Sequence, residues 1–278
     1  MKRWIAATVC GLATALTAGL GGCDRYPQDS PEAVLTSARK MVEDGKADRL
    51  GRLLYAENDQ VRRVYRQLGT TLGNLQELGE EVQRAFPKEV EELRAQAEEA
   101  ARSGQASSLI GRALMQGTQQ NRGRRRGPQQ DPNDMRAAFD RTIKEVIADP
   151  YGWLARSEER LTVQRVADDT ALLMWDGKPV LPPLGIAIKE EKGKWYVVPP
   201  TNLLSAVPVM PRSDDEYDVW IKVMQVVDNM VVDLKKDVKG GKVKSIREVA
   251  EAAGEKAFIP MVLGMVAYGK MMDEREGK

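Results

Sequence analysis

The 278-residue chain contains no histidine and only two cysteines. The first absence removes the Ser-His-Asp triad, the imidazole general base and every His-ligated metal centre. The second removes a four-cysteine zinc site. Phenylalanine is scarce, at three residues, and no sign of charge prevails: 42 Lys and Arg stand against 41 Asp and Glu, a formal +1. That balance supplies no general drive toward nucleic acid. The length suits one large domain or two small ones with a sizeable core. Hydrophobic residues at 42 % and charged residues at 30 % describe a globular chain with much exposed helix. Both cysteines fall within the first 23 residues, and a body without thiols suits an oxidising compartment.

The strongest signal is at the start. Met1-Lys2-Arg3 is basic, Trp4 to Leu20 is apolar and rich in Ala, Thr and Gly, and Leu20-Gly21-Gly22-Cys23 follows. A basic region, an apolar region and small residues at a cleavage point describe a secretory signal peptide. The apolar run is too short and too diluted by Gly and Thr for a transmembrane helix. Leu-Gly-Gly-Cys resembles the lipobox of bacterial lipoproteins. The resemblance implies cleavage before Cys23, a diacylglycerol on its thiol and often an acylated amino group. It places the protein at a bacterial cell membrane, on the periplasmic face. Two or more acyl chains anchor stably, at ~0.8 kcal/mol per buried CH₂. Asp24 resembles the inner-membrane retention signal of enteric lipoproteins, a rule that varies between bacteria, so inner and outer membrane both stay open. Cys10 would leave with residues 1–22, as would Lys2 and Arg3, turning the net charge from +1 to −1.

The remainder predicts an α+β protein, predominantly helical, with a small antiparallel sheet of about four strands, a helical insertion and a C-terminal helix pair. Residues 23–30 read as a polar tether. Ser30-Pro31-Glu32 opens a helix, and residues 31–57 form the N-terminal helices of the α+β core. In 58–120, Val61, Tyr65, Leu68, Leu72, Leu75, Gly79, Val82 and Phe86 make a heptad seam. Helices are expected at 59–85 and 87–102, restarting at Pro87, with Glu80–Arg84 and Glu98–Arg102 as i,i+4 pairs. The seam suits an antiparallel hairpin packed on its own protein, or a coiled coil for self-association or an envelope partner. A short helix is expected over 107–116. Residues 121–133 read as a flexible loop. Its cluster of Arg122, Arg124, Arg125 and Arg126 suits either plain solvation or contact with anionic lipid heads, at ~1 kcal/mol per basic residue. The missing interleaved aromatics and the export signal speak against nucleic acid.

Residues 134–212 read as a helix to Ala148 followed by strands at 161–167, 170–175, 186–189 and 194–198. Asp168-Asp169, Asp176-Gly177 and 190–193 are the turns. Val180 to Gly185 is irregular, because proline cannot sit in a central ladder. Trp153, Trp175, Trp195 and Trp220 mark the expected main core. Successive apolar positions predict a sheet covered on both faces, one by N-terminal helices and the other by C-terminal helices or a second subunit. In 213–278, Ser213 to Glu216 and Ser245 to Glu248 are capping boxes. The last helix is expected to kink or restart at Pro260, and its apolar run from Phe258 to Val266 is too short to span a bilayer.

The Ser30-Pro31-Glu32-Ala33 start, the Asp44-Gly45-Lys46-Ala47-Asp48 stretch and the strands ending in Gly193-Lys194-Trp195-Tyr196 resemble exported lipoproteins of the nuclear transport factor two-like, cystatin-like class. That resemblance, over about 30–57 and 158–200, implies a helix packed into a curved sheet around a cone-shaped pocket. The class hosts enzymes and binding proteins alike, so it carries no activity with it.

No Gly-rich phosphate loop, Ser-x-x-Lys or Gly-x-Ser-x-Gly is present. Asp168, Asp169 and Asp176 occupy turns, where Asp is ordinary. Asp214, Asp215 and Glu216 could chelate a cation, but capping explains them. Met261, Met265, Met271 and Met272 could hold Cu(I), yet their spacing suits a core stripe. The expectation is a lipid-anchored binding or scaffolding protein, not an enzyme, with no metal or cofactor and Cys23 as its lipid attachment site. The rival is a small-molecule binder or enzyme using a pocket between the sheet and the first helix.

Overall fold

The computed structural model describes residues 25–102, 144, 146–180, 185–199, 211 and 213–276. Cys23, the arginine cluster at 122–126 and the helices expected over 107–116 and 134–143 lie outside the described residues. The fold is α+β and predominantly helical. Its helices are α1 (Pro31–Glu43), α2 (Asp59–Ala85), α3 (Pro87–Arg102), α4 (Gly152–Arg156), α5 (Asp214–Lys239) and α6 (Ile246–Glu276), with a 3₁₀-helix at Ala47–Leu53. The strands are β1 (Leu161–Ala167), β2 (Thr170–Trp175), β3 (Lys178–Pro179), β4 (Ala187–Glu191) and β5 (Lys194–Val198).

The sheet is antiparallel in the order β1-β2-β4-β5. Asp176 and Gly177 both take positive φ, as do Lys192 and Gly193, the geometry of a two-residue hairpin that matches strand twist. β3 and β4 share one flank of β2, on either side of Pro182-Pro183. Residues 181–184 lie outside the described residues.

Two cores form instead of one. Val34 and Met41 of α1, Leu53, Leu154, Leu161, Leu173, Ile188 and Trp195 fill the first, between α1 and the inner sheet face. Leu78, Val82, Val90, Ile147, Val231, Leu234, Ile246 and Val249 fill the second, among α2, α3, α5 and α6. Trp220 is absent from the sheet core: it packs edge-on against Tyr268, 6.3 Å between ring centres, joining α5 to α6. The C-terminal helices pack chiefly on α2 and on each other, so the expectation that they cover the second sheet face is corrected. Their stripes match the apolar seam of α2, which left none for the sheet.

α2 meets α5 through Arg63–Asp218 at 2.8 Å, Asn74–Asp228 at 2.7 Å and Glu77–Lys235. These contacts advance together along both helices, so the pair runs parallel. The heptad seam is therefore packed within the chain, chiefly against α5, with Val90 of α3 joining Leu78 and Val82 at its C-terminal end. Within α2, Arg84 pairs with Glu81 at 2.9 Å and not with Glu80. α5 and α6 are antiparallel, tied at one end by Glu216–Arg275 and at the other by Asp237–Lys256. α6 continues through Pro260 without restarting. An interior proline costs a helix about 3 kcal/mol. Packing of Val249 and Ala253 before it and Tyr268 beyond it offsets that loss. Glu89 of α3 also accepts from the first-turn N–H of Ile246 at 3.0 Å, capping α6 from another helix. Among the described residues no helix is long and apolar enough to cross a membrane.

Residues 25–30 are not a tether. Tyr26 is buried, and its hydroxyl donates to Asp44 at 2.9 Å beside the Arg25–Asp44 pair at 3.0 Å. The Ser37 hydroxyl donates to the Pro27 carbonyl at 2.7 Å. Gln28 grips the edge strand β5 twice: its side chain donates to the Trp195 carbonyl at 2.8 Å, and its own carbonyl accepts from the Trp195 N–H at 2.7 Å. The polar composition that suggested solvation supplies these docking bonds.

Candidate functional site

Where the sheet core meets the helical core, two glycines bring backbones together. A Cβ on Gly69 would stand 2.3 Å from the Asp48 carbonyl oxygen, and one on Gly51 would stand 2.1 Å from that of Tyr65. α2 therefore lies directly on the 3₁₀-helix. Gln76 fastens the joint, accepting from the Ala47 N–H at 2.9 Å and donating to the Val42 carbonyl at 2.6 Å. Gly79, read from the sequence as a seam position, admits Pro150, whose ring carbon would lie 2.8 Å from a Cβ there. Next to Pro150, the Tyr151 hydroxyl donates to the Leu72 carbonyl at 2.6 Å.

Beside this joint opens a cleft of about 500 Å³. It lies between the 3₁₀-helix and the segment after it, the N-terminal half of α2, and the β4–β5 edge. The size is that of a small-molecule site at a junction of two structural units. Arg52, Arg62 and Arg66 line it together with Tyr55, Tyr65 and Tyr196. Asp48, Glu191 and Thr70 add acidic and hydroxyl groups. Arg62 pairs with Asp59 at 2.6 Å, whereas Arg52 and Arg66 are exposed and have no ion-pair partner among the described residues. Tyr55 meets Tyr196 edge-on at 6.5 Å, and Lys189 sits 5.3 Å over the Tyr55 ring. The Tyr55 N–H donates to the Val197 carbonyl at 2.8 Å, which fixes the tyrosine wall to the sheet. The cleft thus presents guanidinium donors, phenol rings and hydroxyls, a set suited to holding an anion with polar substituents.

Burial, with the negative charge of Glu57 second, pushes the Tyr65 phenol up to about 12, so it remains a neutral donor. Burial drives Tyr151 higher still. A phenol raised in the folded state stabilises the fold fully below the unfolded value near 10, and that contribution disappears as pH rises through the raised value. In an alkaline spectrophotometric titration of the native protein, Tyr65 and Tyr151 are expected to stay protonated at pH values where exposed tyrosines have ionised. Tyr151→Phe should then leave the early absorbance step unchanged. A smaller early step in that variant would show that Tyr151 is not shielded.

The sequence-derived candidates fall elsewhere. Asp176 is a hairpin residue paired with Arg160, whose hydrogen bonds hold its carboxyl below the usual range. Asp169 accepts from the Thr170 hydroxyl at 2.9 Å, an ordinary turn contact. Asp214 and Asp215 are exposed on the first turn of α5, while Glu216 is buried against Arg275. The side chains of Met261 and Met265 lie outside the described residues, and Met271 and Met272 are half-buried on α6. Among the described residues no three His, Cys, Asp or Glu side chains gather as a metal site requires. The space between sheet and α1, where a cone pocket was expected, is occupied by the first core. Sequence reading missed the arginine–tyrosine cleft. Its signals were Arg62 and Arg66 one helical turn apart on α2, and Arg49 and Arg52 one turn apart on the 3₁₀-helix. No protein-family model, curated protein or solved structure matches the chain.

Proposed function

We propose that this chain is an exported bacterial lipoprotein, anchored through Cys23 at the periplasmic face of a cell membrane, whose body binds a ligand without transforming it. The observation that supports the binding role is the cleft, which Arg52 and Arg66 line together with Tyr55, Tyr65 and Tyr196, neither arginine having an ion-pair partner among the described residues. Support for the anchor comes from the basic start, the apolar run and Leu20-Gly21-Gly22-Cys23.

Cys23→Ser is expected to abolish incorporation of labelled palmitate and to leave the full-length precursor. Undiminished labelling in that variant would refute Cys23 as the attachment site.

A further inference from the structure

We propose that the arginine–tyrosine cleft binds the headgroup of an anionic, hydroxylated phospholipid in the membrane that carries the protein. The inference rests on the anchored reading above and deepens it by naming the ligand class.

Only Asp24 separates Cys23 from Arg25, and two residues span at most about 7 Å. From Arg25 onward the chain is fixed to the body by the Asp44 pair, the buried Tyr26 and the Gln28 contacts with Trp195. An acylated Cys23 consequently holds the Arg25–Gln28 end of the body close to the lipid surface. Arg49 continues the path, its guanidinium 5.6 Å over the Tyr26 ring. Arg52 follows one 3₁₀ turn later, on the same side of that helix and about 6 Å further along. Arg52 is already a wall of the cleft. The cleft therefore opens on the same side of the body as the anchor, within two short steps of it along Tyr26, Arg49 and Arg52.

The chemistry agrees with that position. Arg52 and Arg66 come from two different elements that line one cleft, and neither has an ion-pair partner among the described residues, so both are available to a phosphate. Asp48 and Glu191 also line the cleft, and they disfavour a bare, highly charged anion. They accept hydrogen bonds from headgroup hydroxyls, as does Thr70. Tyr65, held neutral, donates. A phosphodiester carrying a polyol satisfies both kinds of group, its hydroxyls donating to the carboxylates while its phosphate meets the guanidinium groups.

The test uses the native lipidated protein, extracted in mild detergent and exposed to phosphatidylglycerol or phosphatidylcholine, with retained lipid read by native mass spectrometry. The wild type is expected to retain phosphatidylglycerol in preference. The exposed double variant Arg52→Gln/Arg66→Gln, with an unchanged melting temperature, is expected to lose that retention by about a hundredfold, for two charge-assisted hydrogen-bonding groups. Equal retention of both lipids, or full retention by the variant, overturns the proposal. Displacement of the lipid by inorganic phosphate alone also overturns it, assigning the cleft to a free anion. The same spectra report the mass on Cys23. A diacylglycerol present without lipid preference refutes the headgroup site and spares the anchor. A missing diacylglycerol refutes the anchor and, with it, the placement of the cleft.

Discussion

Gly69→Ala is expected to destabilise the folded protein by about 3 kcal/mol, at the upper end of ordinary overpacking. The identical change at Gly254 is expected to stabilise it by about 1 kcal/mol. Both glycines lie inside helices, and helix propensity alone favours alanine at each. The surroundings reverse the sign at Gly69. Its new methyl would enter the Asp48 carbonyl at 2.3 Å, and a backbone oxygen cannot rotate aside. The 3₁₀-helix must then lift from α2, straining the Gln76 bonds to Val42 and Ala47. Gly254 is exposed on α6 with nothing within 4 Å of a Cβ, so only the propensity gain remains. Urea denaturation followed by circular dichroism measures both. A neutral Gly69→Ala would mean that the helices do not touch there, and the cleft wall built on that contact would fall with it.

Glu216→Ala is expected to cost about 3 kcal/mol, because it leaves Arg275 facing a mostly buried site without its carboxylate. The Glu216 side chain is 4 % exposed and that of Arg275 22 %, with Arg275 Nη1 3.3 Å from both carboxylate oxygens. This pair ties the beginning of α5 to the end of α6, and Trp220 packs on Tyr268 close by. Adding Arg275→Ala to Glu216→Ala should cost less than the sum of the two single changes, since the second removes the charge that the first stranded. Strict additivity in the same denaturation assay would show that the two side chains do not interact.

Glu216 also marks what the sequence made legible. The Ser213 capping box was readable from residue types, and the Ser213 hydroxyl does accept from the Glu216 N–H at 3.3 Å. The Glu216 side chain, however, turns to a partner 59 residues away, which no local pattern announces. The same division holds for α2. Its start near Asp59 and its break at Pro87 follow from capping and proline chemistry. Its neighbour does not: periodicity defines an apolar face without saying which helix will meet it. The hairpins at Asp176-Gly177 and Lys192-Gly193 were readable because their turns require positive φ. The close approach at Gly69 carried no sequence signal, since only tertiary structure reveals which backbone meets a helical glycine. Tyr26 and Gln28 looked solvated because a short polar segment reads alike whether it is free or docked. The cleft was least legible of all, because Arg52, Arg66 and Tyr196 meet only after the 3₁₀-helix, α2 and the sheet edge have assembled.

The central claim is that Cys23 anchors a body that begins almost at once. The most direct measurement is the intact mass of the full-length protein after expression in bacterial cells. The account predicts a chain starting at Cys23 and heavier than its sequence by a diacylglycerol, with or without an amide-linked acyl chain. A chain that retains residues 1–22 and carries an unmodified Cys23 would contradict it.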